Sequence, residues 1–207
     1  MVAMGMPDNR IRVHHTGVDL SLFRPLDRAK AKDELGIGGA LIVSAGALIP
    51  RKRQGLVVDA LPALPGVTLV LVGDGPDRTA LEARAVAHGV ADRLRFTGTI
   101  DHHALARWLG AADAMVLPSA SEGLANVWVE ALACGTPIVI TDVGGAREVV
   151  EDRIAGHLVA PEPSAISDAV KEILANPRDP AAVRGVAERF TWAANTAALY
   201  DHLRSLT

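Results

Sequence analysis

The chain has 207 residues, 49% of them hydrophobic, with a formal net charge of −3 and a mean hydropathy of +0.23, which is ample for a sizeable buried core. Three Phe, three Trp and one Tyr leave little for stacking on nucleic acid, and the negative charge argues the same way. No stretch reaches the roughly 20 apolar residues that a membrane span needs.

Met1 to Arg10 carries no apolar signal-peptide core, so the chain reads as cytoplasmic, with room for peripheral membrane attachment. Ile11 to His14 is a short extended run, Phe23-Arg24-Pro25 ends a loop, and Asp27 to Leu35 is one helix stopped by Gly36. These first residues, 1–40, hold no second core and read as a lead-in packed on the domain that follows.

From Leu41 onward, short apolar runs alternate with helical patterns. Leu41 to Ala45 precedes a helix near Gln54 to Leu64, and Thr68 to Val72 precedes one near Asp77 to His88. Leu94 to Thr97 leads to His102 to Gly110, Ala114 to Leu117 to Ala125 to Cys134, and Ile138 to Thr141 to Ala146 to Glu151. His157 to Val159 is the last strand, before helices near Ser164 to Ala175, Pro180 to Arg189 and Ala193 to Leu206. Strands apolar on both faces and separated by helices imply a doubly wound α/β domain over 41–190, with a mostly parallel, Rossmann-like, six-stranded sheet. Residues 191–207 read as a separate C-terminal crossover helix.

In the common strand order 3-2-1-4-5-6, ligands bind where the order reverses, between the first and fourth strands. The loop after the first strand carries Arg51-Lys52-Arg53, and the loop after the fourth carries Glu122. The basic triplet is expected to open a helix, where side-chain charge and helix dipole act together on a phosphate, with one or two of its members pointing inward. A solvated basic helix start is the ordinary alternative.

Glu122 and Glu130 bracket a strand-to-helix junction in the run Glu122-Gly123-Leu124-Ala125-Asn126-Val127-Trp128-Val129-Glu130. The amides at a helix start favour an anion, and a carboxylate further along can accept hydrogen bonds from ligand hydroxyls. Phosphate plus polyol points to a nucleotide sugar. A glycosidase-like acid and nucleophile pair, or two surface glutamates, are the alternatives. Against the second, the neighbours of Glu130 are almost all apolar, so its carboxylate should be poorly solvated and in need of a partner.

Gly73-Asp74-Gly75-Pro76 and Gly144-Gly145 are glycine turns at the carboxyl end of the sheet; neither is a complete dinucleotide fingerprint, and no P-loop occurs. The pairs His14-His15 and His102-His103 stand without a zinc-ligand pattern, so no metal and no cofactor is assigned. The lone Cys134, in a small apolar context, reads as a buried bystander.

Taken together, these pieces resemble the carboxyl-terminal half of a GT-B fold, retaining glycosyltransferase of the large family with an E-x7-E motif (glycosyl transferases group 1). The resemblance runs from about Ile11, in order, through Thr16-Gly17-Val18-Asp19 with Phe23-Arg24-Pro25, the Gly46 to Lys52 loop, Val72-Gly73-Asp74-Gly75-Pro76, Phe96-Thr97-Gly98, Ala112-Asp113, Leu117-Pro118-Ser119, Glu122 to Pro137, and Val143-Gly144-Gly145 with Glu148. It implies that Lys52 binds the donor diphosphate, that the amides of Gly123, Leu124, Ala125 and Asn126 hold phosphate and sugar oxygens, and that Glu122 contacts the donor sugar as the catalytic-site carboxylate. Glu130 would bind the ribose hydroxyls, and Thr99 and Ile100 would border the base. The family needs no metal at the diphosphate, in keeping with the lack of a D-x-D triplet.

Relatives often carry an arginine where this chain has Ala47, so one phosphate contact is missing or is supplied by Arg51. The partner implied is a UDP- or GDP-sugar, with a hexosyl group passing to a glycan or lipid acceptor held by an amino-terminal domain that has no counterpart here. By itself the chain is then expected to be inactive. A noncatalytic nucleotide-sugar-binding subunit of a split enzyme is one alternative, and a GT-B epimerase or phosphorylase fragment another. In two-domain relatives the last segment crosses back to the other domain, so Trp192, Leu199, Tyr200 and Leu203 are expected to expose an apolar face, to pair with another copy, or to pack as ordinary core.

Overall fold

Strand β1 (Ala40–Ala45) is one of the two central strands of the sheet and is buried from Leu41 to its end. On one side it pairs in parallel with β2 (Val67–Val72), in the register Ala40 to Val67 through Ala45 to Val72, and on the other with β4 (Ala114–Leu117), with Ile42 opposite Ala114. With β3 (Leu94–Gly98), β5 (Ile138–Thr141) and β6 (Gly156–Val159) the sheet has six strands in the order β3-β2-β1-β4-β5-β6, every pairing parallel. The doubly wound order expected from the alternation of runs is the order observed. The computed structural model describes residues 5, 11–14 and 17–205; His15, Thr16, Leu206, Thr207 and all of Met1 to Arg10 except Gly5 lie outside the described residues.

The alternation of side chains along β1 shows why both faces must be covered. Leu41, Val43 and Ala45 point to one apolar layer and Ile42 to the other. The first layer is roofed by α4 (His102–Ala111), α5 (Asn126–Ala133) and α8 (Pro180–Ala187), which contribute Leu109, Trp128, Leu132 and Val183. The second is roofed by α2 (Gln54–Ala60), α3 (Arg78–Ala87) and α7 (Pro163–Ala175), with Val57, Val58, Leu81, Val170 and Ile173. α6 (Ala146–Val149) is a single turn after β5.

Several boundaries differ from those expected, each for a local reason. The run Gln54 to Leu64 is not one helix: α2 gives way to a 3-10 turn at Leu61–Ala63, because Pro62 has no N–H for an α-helical bond and its ring crowds the preceding turn. The basic triplet does not open a helix either. Pro50–Lys52 form a 3-10 turn, Arg53 adopts a left-handed conformation with φ 52, and α2 begins only at Gln54.

Ahead of the sheet, α1 (Arg28–Glu34) is capped by Asp27, whose carboxylate accepts from Lys30 N at 3.1 Å. Lys32 reaches Asp113 at 2.5 Å, and the same carboxylate oxygen accepts from Leu41 N at 2.7 Å, which ties α1 to the base of β1 and β4. Residues 11–14 lie outside the sheet, while Val18 N donates to Phe190 O at 2.8 Å and bridges in parallel to Thr191. Arg184 of α8 donates to the carbonyls of Leu20, Phe23 and Ala133, binding the lead-in to α5 and α8. The last helix, α9 (Trp192–Arg204), has no buried residue. Among the described residues no helix is long and apolar enough to cross a membrane.

Candidate functional site

The loops after β1 and β2 interlock at the carboxyl edge of the sheet. Gly46 N donates to Val72 O at 2.8 Å, Leu48 N to Asp74 O at 2.9 Å, and Asp77 N to Leu48 O at 3.0 Å. At Gly73, with φ +129, a Cβ would run into the carbonyl of Gly46, so only glycine permits this approach. The buried Gln54 donates to Ala47 O at 3.1 Å, which fixes the path of the Gly46 to Lys52 loop.

The loop after β4 is clasped from both sides. Ala120 N donates to Arg51 O at 2.7 Å and the Arg51 guanidinium to Ser121 O; opposite, Thr141 Oγ1 donates to Ser119 O at 2.5 Å and Gly145 N to Gly123 O at 2.8 Å. The strand order therefore brings the two loops named by the switch-point rule into contact, and the contact is made by charge. Lys52 Nζ lies 2.5 Å from Glu122 Oε1, and Arg51 Nη1 lies 3.1 Å from Glu122 Oε2. The Glu122 side chain is only 8% exposed. Burial raises its carboxyl, but the bonds from Lys52, Ser119 and Arg51 outweigh it and hold the group below the usual carboxylate range.

A cavity of about 470 Å³ opens at this junction, lined by Lys52, Glu122, Ile100, His102, Leu105 and Glu130. Gly46, Leu124, Ala125, Asn126 and Val127 complete much of the same wall. α5 starts in its wall: Ala125 is the N-cap in extended conformation and no side chain caps the helix. Glu130 stands one turn further along α5, and burial raises its carboxyl, with the charge of His102 acting the other way. An ammonium, a carboxylate with two cations, a helix start and a desolvated carboxylate therefore share one hollow.

Of the residues singled out in the sequence, Lys52, Glu122, Leu124, Ala125, Asn126, Glu130 and Ile100 line this cavity. Gly123 lines an adjoining one of about 370 Å³ with Val13, His14, Gly145 and Glu148. Arg51 stands outside, its side chain 47% exposed and engaged with Glu122, and Thr99 is exposed and absent from the lining. Of the basic triplet, then, Lys52 points inward, while Arg53 lines a different hollow beside Arg84 and Asp77. His102 was not singled out for this cavity; its signal was its place at the start of the helix that returns from β3 over the switch point. Burial pushes the Cys134 thiol up to about 12, in line with a buried bystander.

Residues 27–189 match the family described as Glycosyl transferases group 1. The chain belongs to that family. As a glycosyl transferases group 1 chain it is related to enzymes, and its sheet is that of a GT-B half-domain. It is 37% identical over 209 residues to a D-inositol 3-phosphate glycosyltransferase of Frankia alni, covering 91% of this chain and 51% of that protein. Among solved structures it resembles the sucrose-phosphate synthase of Thermosynechococcus elongatus, with a TM-score of 0.80, 31% identity, and coverage of 95% of this chain and 53% of that one. It also resembles the Anabaena protein HepE in complex with UDP-glucose, with a TM-score of 0.88, 26% identity, and coverage of 99% and 60%. The chain spans about half or less of the length of the curated relatives it matches.

Proposed function

We propose that this chain is the donor-holding half of a retaining glycosyltransferase that moves a hexosyl group from a UDP- or GDP-sugar to a glycan or lipid hydroxyl. The observation that carries the reading is the meeting of Lys52 with Glu122 in a cavity that Glu130 also lines. An ammonium has three N–H donors, so its bond to Glu122 leaves others for a diphosphate, and the uncapped start of α5 adds amide donors to the same wall. Lys52 and the helix dipole together would stabilise the nucleoside diphosphate as it leaves. Glu122 would face the transferred sugar, and Glu130 would accept from the ribose hydroxyls, with Ile100 bordering the base.

Related proteins support a nucleotide sugar. The Anabaena relative was crystallised with UDP and with UDP-glucose. In the division proposed here, residues 1–40 are the lead-in, 41–190 hold the donor and 191–207 form a crossover helix, while a second half of the enzyme brings the acceptor hydroxyl to the donor. The test is a thermal-shift panel of UDP, GDP, ADP and their sugars. A ligand that binds only the folded chain raises its melting temperature in a concentration-dependent way. A uridine or guanosine ligand is expected to do so, and no response to any member at millimolar concentration would overturn the reading.

A further inference from the structure

We propose that His102 is a second nucleoside-binding residue of the cavity, working as a charged pair with Glu130. The proposal rests on the nucleotide reading above. His102 is the first residue of α4 and lines the same cavity as Ile100, Leu105 and Glu130. Two features set its position. Asp101 caps α4 by accepting from Ala104 N at 2.8 Å, and the Phe23 ring lies 6.2 Å from the imidazole at an interplanar angle of 57°.

Glu130 supplies the other half of the argument. Its neighbours Val129, Ala131 and Leu132 are buried, and the charge that acts against the desolvation of its carboxyl is that of His102. The remaining charged or titratable groups around it are otherwise engaged. Lys52 and Glu122, facing the cavity from the loops after β1 and β4, are bonded to each other. Behind the helix, Cys134 is held as the thiol, and Arg184 of α8 donates to Phe23 O and Ala133 O. Imidazole is the side chain that changes charge most readily near neutral pH.

A ribose diol seated against Glu130 displaces water from the carboxylate, and a carboxylate stripped of water needs a neighbouring cation to stay ionised. The imidazolium provides that charge, and its N–H donates to an acceptor on the ribose or the base. Nucleotide binding then takes up a proton whenever the ring is neutral in the free protein. Affinity falls as pH rises through the histidine range, and falls again in acid as Glu130 is neutralised.

Calorimetric titration of the full chain with UDP, from pH 5.5 to 8.5 and in two buffers of different ionisation enthalpy, tests this directly. The wild type is expected to take up part of a proton above neutrality. His102→Ala should lose about fivefold to tenfold in affinity at pH 6 and lose the proton uptake, which a tenfold change per pKa unit makes readable. His102→Arg should keep the affinity and make it independent of pH on the alkaline side. His102 is exposed, so these variants are expected to fold, and an unchanged urea midpoint checks it. In the ligand-free protein, the NMR titration of the His102 ring should move to lower pH in Glu130→Gln, because the interaction is mutual. A ring titration indifferent to Glu130→Gln overturns the pairing. Equal affinity and proton uptake in wild type and His102→Ala overturn the binding role. If UDP, GDP and ADP all fail to bind the wild type, the nucleotide reading falls and the binding role with it, whatever the ring titration shows.

Discussion

Lys52 Nζ and Glu122 Oε1 lie 2.5 Å apart although 70 residues of sequence separate them. The strand order makes the contact, since the loops after β1 and β4 are neighbours only because β1 pairs with β4. Removing the ammonium leaves a largely buried carboxylate with the half-exposed Arg51 as its neighbouring cation. Lys52→Ala is therefore expected to cost about 1 to 3 kcal/mol of stability, the scale of a lost charge-assisted bond. Urea unfolding measures it. The double variant Lys52→Ala/Glu122→Gln should lose less than the sum of the two single ones, because the charge that needed the ammonium has gone.

The two glutamates should respond to pH with opposite signs. Glu122 has a lowered carboxyl in the folded chain, so its contribution is present above the ordinary glutamate range and is lost as pH falls through the folded value. Glu130 has a raised carboxyl, so in its titration window the folded chain holds the extra proton and stability falls as pH rises. Urea midpoints at pH 4 and pH 7 separate them. Glu122→Gln should lower stability at pH 7 relative to wild type, and Glu130→Gln should raise it. The same sign for both would contradict the environments described.

Much of this was legible because parallel strands buried on both faces are short, apolar and punctuated. Ala114–Leu117 and Ile138–Thr141 have the bounds that the sequence implied, and the strand order followed from the common doubly wound pattern. The glutamate junction was legible because Gly123 and the apolar helix after it mark a turn at the switch point. What stayed hidden depends on where side chains turn. The triplet Arg51-Lys52-Arg53 looks uniform in sequence, yet a 3-10 turn and one left-handed residue set Arg51 and Lys52 on Glu122 and turn Arg53 to a different hollow. His102 was hidden too, because nothing local says that the start of α4 faces Glu130.

Gly144 has φ +53, and a Cβ there would strike the carbonyl oxygen of Glu122. Gly144→Ala is expected to destabilise the chain by about 1 to 3 kcal/mol through left-handed strain and the displaced loop. Because the displaced atom belongs to the backbone of Glu122, nucleotide affinity should fall as well. Paired measurements of urea midpoint and UDP affinity check both, and a loss of stability without loss of affinity would detach the Gly144 turn from the site.

Glu130→Ala tests the assignment of the ribose side. With no carboxylate to accept from the two hydroxyls, donor affinity should weaken by about 1.5 to 3 kcal/mol, the usual scale of hydrogen bonds to a charged group. Calorimetric titration with UDP and with 2′,3′-dideoxy-UDP distinguishes this from a general loss. The variant should discriminate little between the two ligands, whereas the wild type should prefer UDP, and an unchanged preference would remove Glu130 from the ribose.

On α9, Trp192, Leu199, Tyr200 and Leu203 recur at helical spacing and are 54%, 40%, 59% and 55% exposed. A stripe of large apolar side chains on a surface helix is more than scattered exposure accounts for, and covering the remaining half of each such side chain is worth about 1 kcal/mol. In a complete enzyme that cover would come from the acceptor-binding half. With this chain alone, a second copy is the available apolar surface, so light scattering should show association that grows with concentration. Tyr200→Glu/Leu203→Glu should return the chain to a monomer while leaving its melting temperature nearly unchanged, because both side chains are already exposed. A wild-type chain that stays monomeric up to millimolar concentration would show that the α9 stripe does not drive self-association.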